Sequence, residues 1–177
     1  MKLVEPCATI PRIAVVGMGH ELRGDDAAGV AVARALQAAL GDDDRWLVID
    51  AGPAPENYTG PLRRFEPDLV LFVDAAQMDE APGTIRWLPW RETDRLGSST
   101  HTLSPQVLAR FLIRELGCEA TLVGIQPSHD TLAAPLSPEV ADAVDTVVLC
   151  LLRLLAQDWV LGSDRGGALG LPAIETN

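Results

Sequence analysis

The residues best suited to chemistry in this chain are Asp25, Asp26, Asp50, Asp74 and His101. Asp50 and Asp74 each follow a short apolar run, Asp25 and Asp26 come after the glycine-bearing loop that follows another, and His101 ends a polar stretch from Arg91 to Thr100. Two carboxylates and an imidazole make a mixed oxygen and nitrogen ligand set. Such a set suits zinc, nickel or another borderline metal and leaves room for water or a substrate group. Each residue also has an ordinary structural role open to it. Asp25 or Asp26 fits a helix cap, Asp74 fits a turn at a strand end, and His101 fits an exposed loop. Residue types and spacing leave both readings standing. His20 and His129 read as surface loop residues.

The elements that must position these residues follow from apolar periodicity. Ile13–Val16 is a β-branched run of the kind buried on both faces of a sheet. Gly17 and Gly19 break it and permit a tight turn or a close backbone approach. A helix then opens at Asp25-Asp26, where carboxylates favour the helix dipole. Ala28, Val32, Ala35, Leu36 and Ala39 form its apolar stripe, and Gly41 is placed to end it. Further strands are expected at Arg45–Ile49, Leu69–Val73, Thr84–Leu88 and Glu119–Ile125. Helices are expected after Ser104-Pro105, with Val107, Leu108, Phe111 and Leu112 buried, and after Ser137-Pro138, with Val140, Val144, Val147, Val148, Leu151 and Leu155 buried. Strands alternating with crossover segments predict a single α/β domain with a mostly parallel, twisted five-stranded sheet and helices on both faces. The domain is expected over residues 1–161, with a Gly-rich tail over 162–177. In such a sheet, ligands bind beyond the carboxyl ends of the strands, where the aspartates are expected.

Composition narrows the function. The chain has 177 residues, 47% of them hydrophobic and 22% charged, as in an ordinary globular domain. A net charge of -11 argues against nucleic acid or an anionic membrane as partner. Cys7, Cys118 and Cys150 are odd in number and lack a CxxC spacing, which fits reduced thiols and a cytoplasmic location. The N-terminal stretch lacks the apolar core of a signal peptide, and no apolar run is long enough to span a membrane. The first βα turn is not a dinucleotide fingerprint, because Leu22 occupies the third glycine position and Gly24 comes too late. It is not a phosphate-binding P-loop either, since no Gly-Lys-Ser/Thr follows. The chain has no HExxH and no GxSxG.

Four segments, VVGMGHELRGDDAAGV, LFVDAAQMDEAPGTIR, STHTLS and VGIQP, occur in an order that resembles the hydrogenase maturation endopeptidases. The similarity runs from about Arg12 through the last helix. Pro55–Asn57 and VGIQP look most like the subgroup serving formate-hydrogenlyase-type enzymes. The resemblance implies a twisted five-stranded sheet between helices. It implies removal of a short C-terminal extension from a [NiFe] hydrogenase large-subunit precursor after nickel insertion. It also implies that Asp26, Asp74 and His101 contact nickel presented by that precursor. Asp25, Gly17 and Gly19 are expected in a supporting role within the first βα loop. The family usually has Asn after the second glycine, where this chain has His20. The alternative from another class is a nickel-sensing binding protein or maturation chaperone that never cleaves.

Overall fold

The computed structural model describes residues 11–41, 43–89 and 105–156. His101, the Arg91–Thr100 stretch and the expected tail boundary lie outside the described residues. In chain order the elements are β1 (Ile13–Met18), a 3-10 turn (Gly24–Ala27), α1 (Ala28–Ala39), β2 (Trp46–Gly52), a second 3-10 turn (Pro55–Tyr58) and α2 (Thr59–Phe65). Then come β3 (Leu69–Ala75), β4 (Ile85–Pro89), α3 (Pro105–Leu116), β5 (Glu119–Ile125) and α4 (Pro138–Ala156).

The five strands form one sheet in the order β2-β1-β3-β5-β4, parallel throughout except for β4, which pairs antiparallel with β5 at the edge. Alternate residues of the central strands feed two cores. Ile13, Val15, Leu69, Leu71, Val73, Val123 and Ile125 pack with α1 and α4 on one face. Ala14, Val16, Met18, Val70, Phe72 and Leu122 pack with α2 and α3 on the other. Burial on both faces is why these strands read as unbroken apolar runs.

From β1 the chain crosses to β2 on one side, whereas from β3 it proceeds toward β5 on the other. The loops leaving β1 and β3 therefore diverge and open a crevice at the switch point of the sheet. Close packing brings α1 over that crevice. A Cβ at Gly17 would collide with the carbonyl of Gly29, and one at Gly29 would collide with the carbonyls of Val73 and Met18. The absence of both side chains lets the start of α1 rest on the ends of β1 and β3.

Several local expectations are corrected. Neither Asp25 nor Asp26 caps a helix, because both lie inside the 3-10 turn and no side-chain cap bond is made there. Leu40, in extended conformation, ends α1; Gly41 is not left-handed. Ala39 is exposed, and the buried side of α1 includes Val30 and Ala33 instead. On α3, Val107 is 50% exposed and Phe111 41% exposed, while Leu108, Ala109 and Leu112 are buried. The sheet takes a narrower arc of α3 than the apolar pattern offered, and the Arg63 guanidinium sits 5.3 Å above the Phe111 ring. Gly117 does close α3, in a left-handed conformation with its N–H on the Ile113 carbonyl. No helix among the described residues is long and apolar enough to cross a membrane.

Candidate active site

The loop from β1 to α1 is the floor of the crevice. Gly19, at φ +119°, donates its N–H to the Gly52 carbonyl at 3.1 Å and ties the loop to the end of β2. A Cβ there would run into the Asp26 carbonyl, so the position requires glycine on two counts. The next residue, His20, donates its backbone N–H to Asp26 Oδ2 at 2.9 Å. Its ring Nδ1 accepts the Leu22 N–H at 3.2 Å. Asp26 is thereby held by its own loop and remains partly exposed.

Asp74 comes to the crevice from β3. It is the penultimate residue of the strand, paired with Gly124, and not a loop residue beyond the strand end. Its carboxyl is pushed up to about 7, first by burial and then by the negative charge of Asp26, with the Ala75 N–H pulling the other way. An acid whose ionisation a neighbouring carboxylate opposes makes with it a pair that a cation would relieve. Among the described residues no group of three His, Cys, Asp or Glu side chains converges to hold an ion. The third expected ligand, His101, lies outside the described residues.

Asp50 does not join the pair. Its Oδ2 accepts from Arg34 Nε at 2.7 Å, and Arg34 also bridges to Glu21 at 2.8 Å. Asp25 also has a different task. Fully buried, it accepts hydrogen bonds from the backbone N–H groups of Ser128 (2.8 Å), His129 (3.1 Å) and Ser137 (2.6 Å) and from the Ser137 hydroxyl (2.9 Å). Burial, the largest single influence on it, works against ionisation. The four hydrogen bonds together outweigh burial and hold the carboxyl below its ordinary value. Ser137 thus spends its hydroxyl on Asp25 in place of capping α4. The neighbouring acids are divided in function: Asp25 faces inward as a tie between loops, and Asp26 faces the crevice.

One residue was not singled out by sequence reasoning, and another sits deeper than expected. Gln126, buried at the end of β5, accepts from Met78 N–H at 2.7 Å and donates to Gln77 Oε1 at 2.9 Å. It shapes the segment that follows Asp74. Its signal was present in the VGIQP segment, but a lone glutamine after a strand has no chemical signature of its own. His129, expected at the surface, is half-buried with its ring against Gly24, where a Cβ would meet Nδ1 at 2.6 Å.

This geometry can be set beside known proteins. The family model for HycI, a hydrogenase maturation protease, matches residues 30–154. The hydrogenase 3 maturation protease of Escherichia coli K12 is 35% identical over 73% of this chain and 82% of its own length. The crystal structure of a [NiFe] hydrogenase maturation protease, HycI, from Thermococcus kodakarensis superposes with a TM-score of 0.77 at 30% identity, covering 83% of this chain and 94% of that one. The solution structure of the endopeptidase HycI from Escherichia coli superposes with a TM-score of 0.71 at 33% identity, over 79% and 88% of the two chains. These matches agree with the narrower resemblance drawn from Pro55–Asn57 and VGIQP. The five-stranded sheet, the acid-bearing crevice and these matches together make the chain a member of the hydrogenase maturation protease family.

Proposed function

We propose that this chain is an endopeptidase that removes the C-terminal extension of a [NiFe] hydrogenase large-subunit precursor after nickel insertion. The observation that carries the site assignment is the Asp26–Asp74 pair, in which Asp74 is driven up to about 7 by burial and by Asp26. Such a pair is costly unless a cation lies between the carboxylates. Nickel already held by the precursor is that cation. Asp26 and Asp74, with His101 as the third ligand, grip the substrate's own metal and so read its loading state. Bound nickel supplies Lewis acidity for a nearby carbonyl or water. The chain's own residues hold the precursor's end in the crevice: His20 N–H fixes Asp26, and Gln126 shapes the segment beyond Asp74. Free Cys118 and Cys150 and the net charge of -11 support a cytoplasmic protein that does not bind nucleic acid. Nothing favours the non-cleaving sensor or chaperone, and the relatives are named as proteases.

The test compares the masses of nickel-loaded and nickel-free precursor before and after incubation with the protein. Loss of the extension from the loaded form alone is the expected result. Equal cleavage of both forms would remove nickel from the recognition step, and cleavage of neither would overturn the peptidase reading. Asp26→Ala, Asp74→Ala and His101→Ala are each expected to abolish cleavage of the loaded form while leaving the far-UV spectrum unchanged. A variant that cleaves at the wild-type rate takes its residue out of the site.

A further inference from the structure

His20 is fixed within the β1–α1 loop by three hydrogen bonds. Its backbone N–H donates to Asp26 Oδ2 at 2.9 Å, its carbonyl accepts from the Arg23 N–H at 2.9 Å, and its ring Nδ1 accepts from the Leu22 N–H at 3.2 Å. The last of these decides the chemistry of the ring. A ring nitrogen that accepts an N–H carries a lone pair and no proton, so the ring's proton is on Nε2. A metal ligand needs a lone pair on the nitrogen that meets the ion. Nδ1 spends its lone pair on Leu22, and Nε2 carries a hydrogen. This tautomer makes His20 a donor and takes it out of the ligand set. The residue is partly exposed, and Nε2 has no hydrogen-bond partner among the described residues.

We infer that the His20 Nε2–H donates a hydrogen bond to a backbone carbonyl oxygen of the hydrogenase large-subunit precursor; this rests on the function proposed above. The match is chemical. The precursor's end is peptide, and each carbonyl that leaves water on binding needs a donor in exchange. An ionised Asp26 offers only acceptors. The missing donor stands on the residue whose own N–H holds Asp26, so donor and acid belong to one braced loop. His20 is thus a binding residue for the chain that is cut, while Asp26 and Asp74 take the metal. The Leu22 N–H keeps the ring in the tautomer and orientation that this task needs.

Two measurements test this. Long-range proton–nitrogen NMR on the full chain, metal-free and carrying isotope-labelled histidine, reads the tautomer directly. A neutral His20 ring protonated on Nε2 is expected, and one protonated on Nδ1 would overturn the inference. Nickel-loaded precursor is then titrated onto wild type, His20→Asn, His20→Asp and His20→Ala, with cleavage followed in parallel. Asn keeps an acceptor for the Leu22 N–H and a free N–H donor, Asp keeps the acceptor alone, and Ala keeps neither. His20→Asn is expected within about twofold of wild type in Kd and KM. His20→Asp and His20→Ala are expected to raise both about fivefold with kcat unchanged, as the loss of one hydrogen bond to bound substrate would. Of the three variants, His20→Ala alone is expected to melt earlier, having lost the acceptor for Leu22. The added charge of Asp attracts a nickel-bearing partner, so weaker binding by His20→Asp reports the missing donor. Wild-type Kd in His20→Asp would leave His20 a purely structural part of the loop and overturn the inference. Wild type that binds the precursor without cleaving it would refute the peptidase reading, while the Kd comparison still decides the role of His20. Absence of binding by wild type would overturn the inference as well.

Discussion

At the scale of single residues, Asp74 and Asp25 respond to pH in opposite senses. Asp74 ionises near 3.8 in the unfolded chain and at about 7 in the folded one. Its contribution to stability is therefore present in full below 3.8, falls as pH rises through that window, and is lost above about 7. Asp74→Asn should flatten this fall in the metal-free protein. The melting temperature measured from pH 4 to pH 8 checks it, and parallel curves for variant and wild type would refute it. Asp25 is held below its ordinary value, so its contribution is present above 3.8 and disappears as pH falls through its lower folded value. Asp25→Ala would leave the N–H groups of Ser128, His129 and Ser137 buried without their acceptor. The expected cost is about 3 kcal/mol, read by denaturant unfolding. A change below about 0.5 kcal/mol, the usual effect of a surface substitution, would show that the tie is dispensable.

At the scale of elements, the position of α1 decides the distance between the acids. Asp26 precedes α1 and Asp74 ends β3, and the two meet because Gly17 and Gly29 let the helix rest on the strands. Gly29→Ala places a methyl group against the carbonyls of Val73 and Met18, which are backbone atoms that cannot rotate away. The helix must lift, at a cost of about 2 kcal/mol. The expected result is a lower melting temperature together with a fall in cleavage of nickel-loaded precursor. Gly41→Ala is the control, because nothing lies within 4 Å of a Cβ there and its backbone is not left-handed. A Gly29→Ala variant as stable and active as Gly41→Ala would show that close seating of α1 is not what sets the crevice.

At the scale of the whole molecule, the order of strands explains why one edge holds the chemistry. The order of the parallel strands reverses between β1 and β3, so their outgoing loops part and leave the crevice open. The β5–α4 loop is fastened to the β1–α1 loop through Asp25. Under the proposed function, this open edge is what would admit a metal held on another protein. The acidic charge of the chain as a whole suits a cation-bearing site and opposes self-association.

Sequence alone was enough for the elements whose cause is local or periodic. The apolar runs of β1, β3 and β5 declared a sheet covered on both faces, and Glu119–Ile125 was legible to the residue because Gly117 and Gln126 bound it. Four separated motifs were enough for the family. Tertiary structure alone decided what depends on distant partners. Asp25 and Asp26 are the same residue type in adjacent positions, and only the approach of Ser128, His129 and Ser137 separates a loop tie from a site acid. Asp50 resembled Asp74 at a strand end until Arg34 was seen to claim it. Val107 and Phe111 matched the helical period, but period fixes only which residues share a face, and the sheet beneath decides how wide a face is covered. Leu22 and Ala133, 111 positions apart in the chain, are joined by a backbone hydrogen bond between loops, a pairing that no local pattern encodes.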